Sequence, residues 1–164
     1  MILDILQLRE FHHISLLGAG GKSTLRTILE AESARLGEAR TFQEIGASDG
    51  RCLMLYALGT LVLPPETDCA VIVAGLGALD WPIQEVCAGF NLKRGFTAEP
   101  ARLCGEQDLL SIVQDTLQAA ALPKERVRVL LNQADTGALH IRASGLLRSL
   151  QNDGIHAAAL SLLA

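Results

Sequence analysis

The chain has few aromatic residues: four Phe, one Trp and one Tyr among 164. That scarcity excludes the rows of stacking rings with which proteins hold single-stranded nucleic acid. A basic surface is missing as well, because Lys and Arg number 14 against 18 Asp and Glu, for a net charge of −4. Phosphate backbones and anionic lipid therefore have no broad positive face to meet, and any anion site must be local. No apolar run reaches membrane-spanning length. The opening Met1-Ile2-Leu3-Asp4-Ile5-Leu6 lacks the basic start and small-residue cleavage site of a secretory signal. Cysteine is sparse too: Cys52, Cys69, Cys87 and Cys104 form no close pair of the kind that zinc ribbons or redox motifs need. These absences together predict reduced thiols in a cytoplasmic domain that engages neither nucleic acid nor membrane.

What remains is apolar and aliphatic. Hydrophobic residues make up 49% of the chain and charged ones only 20%, so Leu, Ala, Val and Ile must build the core. The length fits a single domain over residues 1–164, long enough to bury about two-thirds of the surface its unfolded form exposes.

Ten residues near the start carry most of the chemistry: Ser15-Leu16-Leu17-Gly18-Ala19-Gly20-Gly21-Lys22-Ser23-Thr24. They run from an apolar strand through a glycine turn into a helix headed by Lys-Ser-Thr. Glycines let successive N–H groups turn toward anionic oxygens, and the helix adds the positive end of its dipole. Gly18, Ala19, Gly20, Gly21, Lys22, Ser23 and Thr24 are thus the expected phosphate cradle, with Ser23 a ligand for Mg²⁺. The strict Walker pattern would need glycine at position 16, which is Leu16. The shorter Gly18-x-x-Gly21-Lys22-Ser23 is similar to the ATP-binding loops of muramyl-ligase-type enzymes. The plainer alternative is a glycine-rich turn with Lys22 and Ser23 solvated.

Periodicity sets the frame around that loop. It predicts a short amphipathic helix within Ile2 to Phe11, a buried strand over 14–17, a helix from Lys22 to about Leu36 stopped by Gly37, and a short strand over 41–45. Residues 46–51 read as a turn and 53–63 as apolar without period. The β-branched run Cys69 to Gly75 predicts a strand buried on both faces in the middle of the sheet. A helix over 108–122 ended by Pro123, a strand over 127–131, a helix over 139–150 and a final strand over 155–163 complete the chain. This order predicts a three-layer α/β, P-loop NTPase-like domain with a mostly parallel sheet.

Asn132-Gln133-Ala134-Asp135 follows a strand and is similar to the Asn-Lys-x-Asp base-reading motif of GTPases. A carboxylate such as Asp135 accepts two hydrogen bonds from the N1–H and exocyclic amine of guanine, which adenine does not offer in that form. Asn132 either ties this turn to the phosphate loop or touches the base. An Asn/Asp turn at a strand exit explains the same four residues without any ligand. For the carboxylate that supports Mg²⁺ the sequence offers Asp49 first, with Glu44, Asp68 and Asp80 as further candidates. Arg51, Lys93 and Arg94 are candidate phosphate-facing charges, and His12-His13 reads as a surface pair.

Four blocks in order resemble the YqeC-type accessory proteins of selenium-dependent molybdenum hydroxylases. They are Leu17 to Ser23, Leu61-Val62-Leu63-Pro64-Pro65-Glu66-Thr67-Asp68, Val73-Ala74-Gly75-Leu76-Gly77-Ala78-Leu79 and Leu130-Leu131-Asn132-Gln133-Ala134-Asp135. The resemblance implies a P-loop NTPase-like fold, a nucleotide (GTP or ATP) with Mg²⁺, and a role in maturation or cofactor insertion of a molybdenum hydroxylase. That enzyme or its cofactor-maturation proteins would then be partners. This chain departs from the family by being shorter between Arg35 and Asp49, where Glu44 to Gly50 stands for an acidic Glu-Ala-Asp-Gly segment. Cys87-Ala88 stands where a His-Arg pair is expected. A non-catalytic binding scaffold with a degenerate loop is the alternative.

Overall fold

The structure, a computed structural model, describes residues 1–45, 63–90, 102–134 and 137–162. Five parallel strands form its sheet: β1 (His13–Ala19), β2 (Thr41–Glu44), β3 (Cys69–Gly75), β4 (Val127–Asn132) and β5 (His156–Leu160), in the order β2-β1-β3-β4-β5. Helices α1 (Ile2–Ile5) and α2 (Lys22–Arg35) cover one face. Helices α3 (Ile83–Gly89), α4 (Glu106–Ala120) and α5 (Gly137–Asn152) cover the other. This is the three-layer α/β architecture expected from the sequence, and among the described residues every strand pairing is parallel.

The middle strand β3 is apolar at every position because both of its faces are covered. All seven residues of β3 are buried. Cys69, Val71 and Val73 pack with Ile14, Leu16, Leu25 and Leu29 under α2. Their alternating neighbours Ala70, Ile72 and Ala74 pack with Leu109, Ile112 and Leu146 of α4 and α5. A period of two on a strand thus feeds two separate cores. Cys69, Cys87 and Cys104 are buried, and burial pushes the Cys69 thiol up to about 12 and that of Cys104 up to about 11. Cys52 lies outside the described residues.

Several differences from the sequence reading have plain causes. The leading helix closes after four residues, too short to persist by propensity alone. It is held by the fully buried Leu3, Leu6 and Leu8, each contributing roughly 2 kcal/mol. Glu32 of α2 accepts the N–H groups of Ile2 (3.0 Å) and Leu3 (2.9 Å). Arg128, buried on β4, donates to the carbonyls of Leu6 and Gln7 and lies 5.2 Å from the Phe11 ring centroid. Helix α3 has no counterpart in the sequence reading, being seven residues long behind Pro82. Its buried Ile83, Val86, Cys87 and Phe90 nevertheless keep helical spacing, a signal that could have found it. The turn read over 46–51 and most of the apolar stretch 53–63 lie outside the described residues.

Strand β1 connects through α2 to β2 on one side of the sheet, whereas β3 connects through α3 and α4 to β4 on the other. The reversal falls between β1 and β3. In open parallel sheets, the crevice outside the strand ends at such a reversal is where ligands bind. Among the described residues no helix is long and apolar enough to cross a membrane.

Candidate functional site

The glycine loop sits at that crevice, and each of its glycines is required by a different neighbour. Gly18 (φ +89°) closes against Val73 of β3, directly beneath the loop. Gly20 (φ +98°) lies face to face with Gly75, so that a Cβ on Gly20 would come 2.6 Å from the Gly75 Cα. A Cβ on Gly21 (φ +133°) would come 2.5 Å from Asn132 Nδ2. Backbone in this left-handed region is open to glycine at little cost and strains other residues.

Gly21 caps α2 with no side-chain hydrogen bond, and no acidic residue stands in the first turn. The N–H groups and positive dipole end of a 14-residue helix therefore face the cleft without an anionic side-chain cap. That cleft has a volume of ≈ 430 Å³ and is lined by residues 18–24 together with Glu44 and Gly89. Ala19 and Thr24, two of the expected cradle residues, are among this lining.

The end of β2 closes the cleft on one side. Lys22 Nζ donates to the Ile45 carbonyl at 2.8 Å, and Ser23 Oγ donates to Glu44 Oε1 at 2.8 Å. Arg26 reaches the other Glu44 oxygen at 3.4 Å while its Nε pairs with Glu30 at 2.7 Å. Lysine, hydroxyl and carboxylate are thus gathered at one point, with the lysine held by a neutral carbonyl. A phosphate oxygen is a stronger acceptor for an ammonium than a carbonyl, so an incoming anion gains by exchanging with Ile45.

Asn132 braces the loop from β4. Its Nδ2 donates to the Gly20 carbonyl at 2.8 Å, and its Oδ1 accepts the N–H groups of Gln133 (2.8 Å) and Leu162 (2.9 Å). Of the two roles open to Asn132, the structure shows a tie to the glycine loop. Gln133, with φ +68°, accepts the Gly77 N–H at 3.2 Å and so links the exits of β4 and β3. Asp135 and Asp49 lie outside the described residues, as do Arg51, Lys93 and Arg94.

Two candidate carboxylates fall away from the cleft. Asp68 precedes β3 at the far end of the strands, where it accepts the N–H groups of His12 (2.9 Å) and His13 (3.0 Å). It ties β1 to β3 and cannot reach a metal at Ser23. The His13 ring meets Thr41 at 2.9 Å, as fits a surface pair. Asp80 is taken by Arg142 at 2.7 Å, and the guanidinium holds its carboxyl below the usual carboxylate range. Arg142 also pairs with Glu106, which joins α5 to α4.

Glu44 is therefore the described carboxylate that stands at Ser23. Sequence reasoning placed it behind Asp49 because β2 is short and half exposed, with a weak pattern. Gly75, which abuts Gly20 of the loop, and Gly77, which abuts the Gln133 side chain, are not among the site residues that the sequence points to, although glycines at the end of a fully buried strand signal close backbone approach. Mg²⁺ prefers oxygen donors, takes one or two from protein and keeps others for water and phosphate. The Ser23 hydroxyl and Glu44 carboxylate fit that requirement. The chain matches no known protein-family model, no curated protein and no solved structure.

Proposed function

We propose that the chain binds the phosphate groups of a nucleoside triphosphate, GTP or ATP, with Mg²⁺, at the N-terminus of α2. The observation that carries this reading is the meeting of an uncapped helix N-terminus, Lys22, Ser23 and Glu44 in one cleft at the sheet's reversal. In this reading loop N–H groups and Lys22 hold phosphate oxygens, and Ser23 and Glu44 hold the metal, which neutralises phosphate charge when bound. The same exchange would release the Ile45 carbonyl at the end of β2. Nucleotide hydrolysis would be a further step of this reading.

The wider role we propose is that of a cytoplasmic accessory protein in maturation or cofactor insertion of a selenium-dependent molybdenum hydroxylase, with that enzyme or its maturation proteins as partners. Its support is the sequence resemblance, together with the convergence of three resembling blocks. The block ending at Ser23, the one spanning Val73 to Leu79 and the described part of the one beginning at Leu130 meet where β1, β3 and β4 end.

A titration with fluorescent GTP and ATP, with and without Mg²⁺, tests the binding reading. Saturable binding of at least one nucleotide, strengthened by Mg²⁺, is expected. Glu44→Ala should remove about a tenfold part of the Mg²⁺ enhancement, equal to ~1.4 kcal/mol, while metal-free affinity stays within a few fold. Binding indifferent to Mg²⁺ in both proteins would refute the assignment of Ser23 and Glu44.

A further inference from the structure

A second cavity opens on the other side of the loop. Its volume is ≈ 410 Å³, within the range of small-molecule sites, and Ala19, Gly20 and Gly89 line both it and the phosphate cleft. It occupies the crevice between the ends of β1 and β3, the point of reversal in the sheet.

Its walls are of two kinds. Gly20, Gly75 and Gly77 present backbone without side chains, so a flat body can lie close against them. Ala78, Val86, Phe90 and Trp81 line the rest. Trp81 is the chain's one tryptophan, and 57% of its surface is exposed. Large aromatic surface beside an apolar cavity favours a ring that can stack or pack on it. Two polar residues are among its lining, Glu85 and Gln133. A carboxylate selects for a positive charge or N–H donors and disfavours an anion.

We infer that this cavity binds a second small molecule beside the nucleotide phosphates: a flat aromatic ring system carrying a positive charge or paired N–H donors for Glu85. The inference rests on the phosphate-binding reading for its neighbour, since Ala19 and Gly20 form the wall between the two spaces. It supplies the chain with a candidate second substrate site.

Because Trp81 is the sole tryptophan, its emission reports this cavity without a label. The probe is benzamidine, a flat ring with a charged pair of N–H donors, titrated into the full chain, with benzoate as the same ring of opposite charge. Saturable change in Trp81 emission with benzamidine and none with benzoate is expected. Glu85→Gln, at an exposed side chain, should weaken the response about tenfold. Ala78→Phe should abolish it by filling the cavity, with an unchanged unfolding midpoint confirming that the variant is folded. Saturating Mg²⁺-nucleotide should leave benzamidine binding intact, and so should Lys22→Ala. No saturable response, an equal response to benzoate, or competition by nucleotide would overturn the inference, the last by showing that the cavity takes the nucleotide's own base. Glu85-dependent benzamidine binding in a chain that binds no Mg²⁺-nucleotide would uphold the cavity and refute the phosphate reading alone.

Discussion

Lys22→Ala is expected to lower affinity for Mg²⁺-GTP or Mg²⁺-ATP on the order of a hundredfold, about 3 kcal/mol, because the proposed charge-assisted contact to phosphate oxygens would be lost from a confined cleft. The same substitution costs the folded chain much less. Its Nζ donates to a neutral carbonyl, that of Ile45, at 2.8 Å, and such a bond contributes roughly 1 kcal/mol. Titration calorimetry beside a urea unfolding curve separates the two effects. Binding should collapse while the unfolding midpoint moves little. A parallel loss of both would mean that Lys22 serves the fold, and unchanged binding would remove it from the phosphate site.

The second large effect concerns the fold beneath the loop. Gly18→Ala places a Cβ directly against the Val73 carbonyl, between the two central strands, in a backbone conformation with φ +89°. Neither β1 nor β3 can move away, since each is paired on both sides. Overpacking and left-handed strain add, for an expected destabilisation of about 3 kcal/mol or more. Gly37→Ala is the control: φ is +67° there too, yet nothing lies within 4 Å of the added carbon. Strain alone should cost about 1 kcal/mol. Equal urea midpoints for the two variants would show that the close contact of β1 with β3 is not what Gly18 serves.

How much of this was legible in the sequence depended on burial. Strands β1, β3 and β4 are covered on both faces, so their apolar runs stand out from everything around them. Helices α2, α4 and α5 carry one apolar stripe, and their ends are marked by Gly37, Pro123 and Gly154. Helix α3 shows the limit, because two turns offer too few periodic positions to stand out from a loop. Beyond the middle place of β3, which its run of buried residues predicts, strand order was invisible for a different reason. A fully apolar strand carries no mark of which neighbour it pairs with, and the reversal between β1 and β3 follows only from the assembled sheet.

The site divides in the same way. Gly18 to Thr24 announce themselves because glycine followed by Lys-Ser-Thr at a strand end is seldom produced by composition. Asn132 was visible as a residue type, whereas its role as a brace on Gly20 depends on β4 lying two strands from the loop. Glu44 owes its place to the register of β2 against β1, which sets it beside Leu16 and brings its carboxylate to Ser23. Registers of this kind are decided by packing, and a four-residue edge strand displays little of it. Gly75, Gly77 and Trp81 became meaningful only once the loop was seen resting on the end of β3.

The claim at the centre of this account is that residues 18–24 bind phosphate. Hydrogen–deuterium exchange of the full chain, with and without saturating Mg²⁺-GTP and Mg²⁺-ATP, reads it at the backbone N–H groups said to hold the anion. Slowed exchange across residues 18–24 is expected with at least one nucleotide, together with altered exchange at Glu44 and Ile45 as Lys22 leaves the Ile45 carbonyl. Unchanged exchange over 18–24 at saturating nucleotide, with or without protection elsewhere, would contradict it.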